Sequence, residues 1–383
     1  MKTELALHST EFLLHVTAVI LVFMCFLFAV FLFTKKSENR LGNTFLGLFM
    51  LVRGIDATSI FYGYYIDLPI ILESLRHDIG TFFQPPLLYL FVLSVVYSDF
   101  KLKRVYLWHI VPFLLSIVIF FPRLYLPALI GKPVTATIDF EVNIIYWMAA
   151  VQRIGYIIAI FVLLKRYKTL LLENYAVRYN YRWLYQMNII IIIIFILSSY
   201  KNIYKFVSWG GEYTYVSELR LIVIIAMLLF NCWLVLKALY APNLFSGIDS
   251  NLQLVLNNTD IKDYNDKENS DISIKIAQLE AHMSEEEPYL NPEITIKDIA
   301  ENLNIKVTDL SIIINNNLKQ NFYEFINNYR VEKAKELLKS PKHKQLTILE
   351  ILYQVGYNSK SSFNTSFKNL TGQTPTEYRK RHQ

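Results

Sequence analysis

Arg53 and Asp56 stand three residues apart inside a long apolar run, and His15, Gln84, His109, Gln152 and Arg153 interrupt other such runs. An ionisable side chain in hydrocarbon costs about 2.5 to 3.5 kcal/mol on insertion scales, so it faces a bundle interior and takes a partner there. Arg53 and Asp56 share one face of a helix and can neutralise each other. Two chemistries fit the set Arg53, Asp56, Gln84, His109, Gln152 and Arg153. One is a polar cavity that recognises a signal or couples a change of shape, and the other is a group of ion pairs that lock helices together. No catalytic membrane signature accompanies them: the sequence holds no His-x-x-x-His, no His-Glu-x-x-His and no Gly-x-Gly-Asp. Cys25 and Cys232 sit in separate apolar runs and spell no disulfide framework. The expectation is a non-enzyme that needs no metal and no cofactor.

A second pattern organises the last hundred residues. Thr295-Ile-Lys-Asp298 opens a run with Ile299, Ala300 and Leu303 that ends at Asn304-Ile305. Thr347-Ile-Leu-Glu350, 52 residues later, opens one with Ile351, Leu352 and Val355 that ends at Gly356-Tyr357. A Thr with a carboxylate three residues on is the capping box of a helix start. Each copy therefore predicts a short helix, a turn and a second helix, Val307 to about Leu318 in one and Ser359 to about Leu370 in the other. Leu310, Ile313 and Ile314, and likewise Phe363 and Phe367, supply inner faces and leave the outer faces polar. This is the helix-turn-helix pattern whose second helix enters the major groove. Phe322 to Leu338 reads as the helix joining the copies. Thr374-Pro375-Thr376-Glu377 after Gly372 reads as a stop and a further capped start.

The elements that position these groups follow from how apolar residues are distributed. The 383 residues are 54% hydrophobic and 18% charged with net charge +6, against roughly 25% charged in soluble proteins. The 240 residues at the N-terminal end carry 21 Lys+Arg and 13 Asp+Glu, and the remainder 17 and 19. Seven stretches in the apolar part approach the roughly 20 residues a membrane helix needs: 12–33, 43–64, 79–98, 105–121, 143–164, 184–204 and 218–239. Pro85-Pro86 is expected to bend or start the third, and Pro112 to be structural in the fourth. Eleven Lys and Arg fall in the loops after spans one, three and five, and five (Arg76, Arg123, Lys132, Lys201 and Lys205) in the alternate loops. Basic loops stay in the cytoplasm, so the N-terminus is expected outside and the C-terminal part in the cytoplasm of an inner-membrane protein. The fold class is all-α: a seven-span bundle (1–240), an acidic linker (241–270), a connecting helix (271–287) and a cytoplasmic domain with two helix-turn-helix units (288–383). In the connecting helix Ile272, Ile276, Leu279 and Met283 form a stripe that docks on the next domain in preference to making a dimer seam.

Asp298-Ile-Ala300, Leu310-Ser311, Asn321-Phe322, Phe325-Ile-Asn-Asn-Tyr-Arg330-Val, Gly356-Tyr-Asn-Ser359, Ser362-Phe363, Thr371-Gly372, Thr374-Pro375 and Tyr378-Arg379 resemble the AraC/XylS-type DNA-binding domain across nearly all of 288–381. Pro86-Leu-Leu-Tyr89, His109-Ile-Val-Pro112-Phe and Asn180-Tyr-Arg-Trp183-Leu look like the multi-span sensor portion of membrane-bound bacterial regulators that carry this domain. The resemblance implies two recognition helices entering successive major-groove segments. Carried over by position, the base-facing candidates are Thr308, Ser311 and Ile312 in the first helix and Lys360, Ser361, Asn364 and Thr365 in the second. Lys306, Lys319, Lys368 and Arg379 are phosphate candidates. The chain departs from the family where Ile312 and Thr365 replace a common Arg, Leu352 replaces a small Ala, and Lys306 takes the place of a capping hydroxyl.

The expected function is a membrane-embedded one-component transcription regulator that binds double-stranded promoter DNA while its bundle, in the lipid bilayer, senses an unknown signal. RNA polymerase and a second copy of the chain are the further partners considered. Release by proteolysis in the linker is a variant, and a transporter or membrane enzyme with a regulatory DNA-binding tail is the competing class.

Overall fold

The computed structural model describes residues 2–35, 39–97, 99–132, 134, 138–176, 182–207, 216–240 and 269–382. The linker expected at 241–270 lies, up to residue 268, outside the described residues, as do Lys36 and Arg178 and the side chains of Lys201 and Lys205. Among the described residues the secondary structure is helical, with one isolated antiparallel bridge, Tyr175 to Thr295. The chain divides into two compact units, Met1–Leu164 with Tyr181–Ser250, and Lys165–Asn180 with Asn251–Gln383.

The first unit contains α1 (Lys2–Thr34), α2 (Arg40–Ala57), α3 (Ile70–Val96), α4 (Val111–Phe120), α5 (Leu126–Leu129), most of α6 (Asp139–Asn174), α7 (Arg182–Val207) and α8 (Val216–Tyr240). Six helical stretches are long and apolar enough to cross a membrane: Ser9–Thr34, Ile70–Val96, Arg104–Leu129, Phe140–Asn174, Arg182–Tyr200 and Val216–Leu239. The expected count of seven is thus corrected to six on length and composition. The second stretch does fold as a helix, but only from Arg40 to Ala57, with Arg40, Arg53 and Asp56 among its 18 residues. Thr58–Ile60 and Tyr62–Tyr64 then continue as 3-10 turns. α2 packs against α1 and α3, and α8 against α1 and α7. α3 is the interior helix, its most apolar window 67% buried, whereas the other five windows are buried for a third or less. Apolar side chains such as Phe12, Phe23, Val162 and Leu229 face outward, as lipid-facing residues do.

Pro85 and Pro86 neither start nor end α3, which runs through them from Ile70. Proline lacks the N–H that would bond four residues back, so Pro86 leaves the Phe82 carbonyl without its helical donor. Gln152 Nε2 of α6 donates to that oxygen at 3.2 Å. The fourth stretch is longer than expected and composite: a 3-10 segment (Arg104–Ile110), α4, a π-turn (Phe121–Tyr125) and α5. Pro112 sits in the first turn of α4, where a missing N–H costs nothing.

The second unit holds residues 165–176 of the first-numbered segment and then α9 (Asn269–Glu285), α10 (Ile296–Asn302), α11 (Val307–Ile312), α12 (Phe322–Lys339), α13 (Ile348–Gln354), α14 (Lys360–Thr371) and α15 (Pro375–His382). It has two apolar cores. Phe322, Phe325 and Ile326 of α12 belong to the first, with Ile272, Leu279 and Met283 of α9 and Ile299, Leu310 and Ile313. Val331, Ala334 and Leu338, further along α12, belong to the second, with Ile351, Leu352, Phe363 and Phe367. One amphipathic helix is therefore the shared wall of both helix-turn-helix units.

Candidate nucleic-acid interface

The two copies of the repeat are built by the same local chemistry. The Asp298 N–H donates to Thr295 Oγ1 at 3.3 Å while the Thr295 N–H donates to Asp298 Oδ2 at 2.8 Å. At the equivalent start of α13 the Glu350 N–H donates to Thr347 Oγ1 at 3.1 Å and the Thr347 N–H to Glu350 Oε2 at 2.7 Å. These bonds hold the Glu350 carboxyl below its ordinary value. Both turns then need a left-handed residue, Asn304 with φ 52° in the first copy and Gly356 with φ 84° in the second. At Gly356 a Cβ would lie 2.5 Å from the Tyr289 carbonyl oxygen, so no side chain fits.

The second helices differ. α14 opens on Ser359, whose Oγ accepts from the Ser362 N–H at 3.4 Å, and closes on Gly372 with φ 75°. Phe363 and Phe367 are fully buried on its inner side. Ser361 and Lys368 are exposed on the other side, Lys360 is exposed as the first helical residue, and Asn364 and Thr365 are half-buried. Thr365 Oγ1 donates back to the Ser361 carbonyl at 2.8 Å. α11, in contrast, is six residues long and continues as a π-turn, Ile313–Asn317. Lys306 is its N-cap and supplies no side-chain cap, which is the consequence expected of the missing hydroxyl. Thr308, Lys306 and Lys319 are exposed. Ser311 and Ile312 are not on the outer face where the resemblance puts them: they are 0% and 2% exposed, inside the first core. Asn315 Nδ2 donates to Ser311 Oγ at 3.0 Å.

Arg379 also takes a different place from the phosphate-facing one expected. Its Nη1 donates to the Leu346 carbonyl at 2.7 Å, tying α15 to the segment before α13. Sequence reasoning missed Lys342, Lys344, Lys380 and Arg381, all exposed; the run Arg379-Lys-Arg381 was the available signal. It also gave Arg330 no role. Arg330 is 1% exposed, with Nε donating to the Tyr289 carbonyl at 2.7 Å, Nη2 to that of Asn291 at 2.8 Å and Nη1 to that of Ala176 at 3.3 Å. Its guanidinium lies over the Tyr357 ring at 5.4 Å. The same end of the unit holds the Ala176 N–H, which donates to the Ile294 carbonyl at 3.3 Å.

Of the intramembrane candidates, three gather about the carboxylate of a fourth, Asp56. Gln84 Nε2 donates to Asp56 Oδ2 at 3.4 Å, and Arg53 and Arg153 are close enough to Asp56 to feel its charge. Arg53 and Asp56 thus share a face, as expected, but Asp56 takes its hydrogen bond from α3. Arg53 is 6% exposed, rests over the Phe49 and Phe230 rings at 5.8 and 5.4 Å, and leaves Nε and Nη2 without hydrogen-bond partners. Gly80 leaves room for the carboxylate, since a Cβ there would fall 2.7 Å from Asp56 Oδ1. Gln152 serves the Phe82 carbonyl instead. His109 joins Tyr156 by a hydrogen bond and packs with the rings of Tyr89 and Tyr106.

Residues 299–381 match the family model of a helix-turn-helix domain. Over 88 residues, 23% of this chain and 31% of the relative, the chain is 33% identical to the Msm operon regulatory protein of Streptococcus mutans. It is 30% identical over 88 residues, 23% of the chain and 29% of the relative, to the HTH-type transcriptional regulator YdeC of Bacillus subtilis. A third similar protein, the HTH-type regulator SACOL0084 of Staphylococcus aureus, is 31% identical over 93 residues, 24% of the chain and 12% of the relative. The chain thus spans a third or less of the length of these relatives. No solved structure matches the chain significantly.

Proposed function

We propose that this chain, which carries a C-terminal helix-turn-helix domain, is a membrane-embedded transcription regulator that binds promoter DNA and whose bundle senses a signal. The observation that carries the reading is α14: Ser361 and Lys368 stand exposed on a helix anchored by two buried phenylalanines, and Lys360 stands exposed at its first residue. In the major groove Lys360 would reach guanine acceptors and Ser361 and Asn364 would read base edges. Lys368, Lys380 and Arg381 would hold phosphates. The regulatory names of the relatives support this reading over an enzyme.

The proposed address is the inner membrane, with the N-terminus outside and the helix-turn-helix domain in the cytoplasm. That orientation needs an odd number of crossings, so it requires α2 to cross beside the six stretches that length and composition alone select. The 18 residues of α2 span about 27 Å at 1.5 Å each, against a hydrocarbon core of about 30 Å. Arg53 and Asp56 are turned to neighbouring helices, which supports its placement in lipid. The polar group around Asp56 is the proposed sensing centre. A C-terminally tagged chain is expected in the membrane fraction and, after cross-linking, enriched at discrete chromosomal sites in immunoprecipitates. Uniform background across the chromosome would defeat the reading.

A further inference from the structure

We infer that the two helix-turn-helix units divide the labour: the second, built on α14, makes the base contacts and holds the DNA backbone. The first, built on α11, is a packing platform inside the chain and reads no base through Ser311 or Ile312. The inference rests on the DNA-binding reading above and narrows it to one of the two units.

Burial comes first. A side chain that reads a base edge must be at the surface, and Ser311 and Ile312 are 0% and 2% exposed. Ile312 belongs to the same apolar core as Ile272, Leu279 and Met283 of α9. Lys275 of α9 pairs with Asp309 in the first turn of α11 at 3.7 Å. Ser311 spends its hydroxyl on Asn315. Helix geometry points the same way. Leu310 to Ile314 are all buried, and five successive residues cover the whole circumference of a helix. The π-turn that begins at Ile313 lies within this run.

Charge gives an independent argument. Residues 288–321 hold three cations, Lys297, Lys306 and Lys319, against four carboxylates, a net −1. Residues 340–383 hold seven cations, from Lys342 to Arg381, against Glu350 and Glu377, a net +5. DNA affinity grows with the number of phosphates neutralised, so it follows the second unit. The first unit is engaged elsewhere, since Tyr175 and Ala176 lie along Ile294 and Thr295 at the cap of α10.

Full-length protein in lipid nanodiscs, carried through selection from a random double-stranded DNA pool, tests this. The expected outcome is one short word of about three to five base pairs, the reach of a single recognition helix. A dimer would repeat that same word. Lys360→Ala, at an exposed position, and Asn364→Ala, at a half-buried one, are expected to weaken binding about tenfold or more and to shift the preferred word. Two different words about ten base pairs apart would overturn the division. So would a loss of affinity in Lys306→Ala, Thr308→Ala or Lys319→Ala as large as that in Lys360→Ala. If the unsubstituted protein enriches no word, the DNA-binding reading itself falls and takes the division with it.

Discussion

Among the described residues Arg330 meets three backbone carbonyls and no carboxylate. Burial pushes its guanidinium down to about 10, so it stays charged at neutral pH. A buried cation costs several kcal/mol of hydration, which its three carbonyl partners offset; without the guanidinium those buried acceptors are left unsatisfied. Arg330→Met is expected to destabilise the second unit by about 1 to 3 kcal/mol, read as faster hydrogen exchange through residues 289–291 and α12 in the full chain. Unchanged exchange there would mean the three bonds contribute nothing. Close by, Glu287 Oε1 accepts from Lys333 Nζ at 2.5 Å and from Tyr289 Oη at 2.9 Å. The hydrogen bond from Lys333, more than that from Tyr289, holds the Glu287 carboxyl below its ordinary value, and the same bond raises Lys333. A carboxyl depressed in the folded state contributes stability that is full above its unfolded value, about 4.3, and is lost as pH falls through the folded one. Glu287→Gln is therefore expected to flatten the acid side of the stability profile below about pH 5. The pair is partly exposed, so at neutral pH the loss should stay under about 1 kcal/mol. Thermal melts across that range measure both.

At the scale of elements, α3 and α6 are coupled through a carbonyl that proline has stripped of its donor. Gln152→Leu should cost about 1 to 2 kcal/mol by leaving the Phe82 oxygen bare in an apolar interior. Pro86→Ala restores the helical donor, so the same Gln152 change in that background should cost much less; equal costs in unfolding from detergent would disprove the coupling. Much of the element plan was legible beforehand. The Thr-x-x-acid boxes located α10 and α13, Gly356 located a turn, and the Phe-rich stripe of Phe322 to Leu338 located α12. What escaped detection depended on partners distant in sequence. The Leu310-Ile313-Ile314 stripe gives α11 an inner side, yet nothing local says that Ser311 and Ile312 are buried as well. Pro85-Pro86 read as a bend or a start because the rescuing donor, Gln152, is contributed by another helix. Arg379 looked free because the carbonyl it holds, Leu346, belongs to an irregular segment. The position of Asp56 among Arg53, Gln84 and Arg153 was half legible: burying ionisable groups required partners, but spacing along each helix did not choose them.

For the whole molecule the count of crossings decides which compartment each end meets. With α2 across the bilayer, an N-terminal epitope tag is expected to be accessible on intact spheroplasts and a C-terminal tag only after lysis. If both tags need lysis, α2 does not cross. The burial of Ser311 and Ile312 in α11 has a further consequence, statistical in kind. A word of about five base pairs recurs by chance roughly once per thousand positions, and a genome offers on the order of a million or more competing sites. One exposed reading helix therefore carries too little information to single out a promoter. If one helix per chain reads bases, selectivity would have to come from counting, with two chains bound side by side and their spacing part of the address.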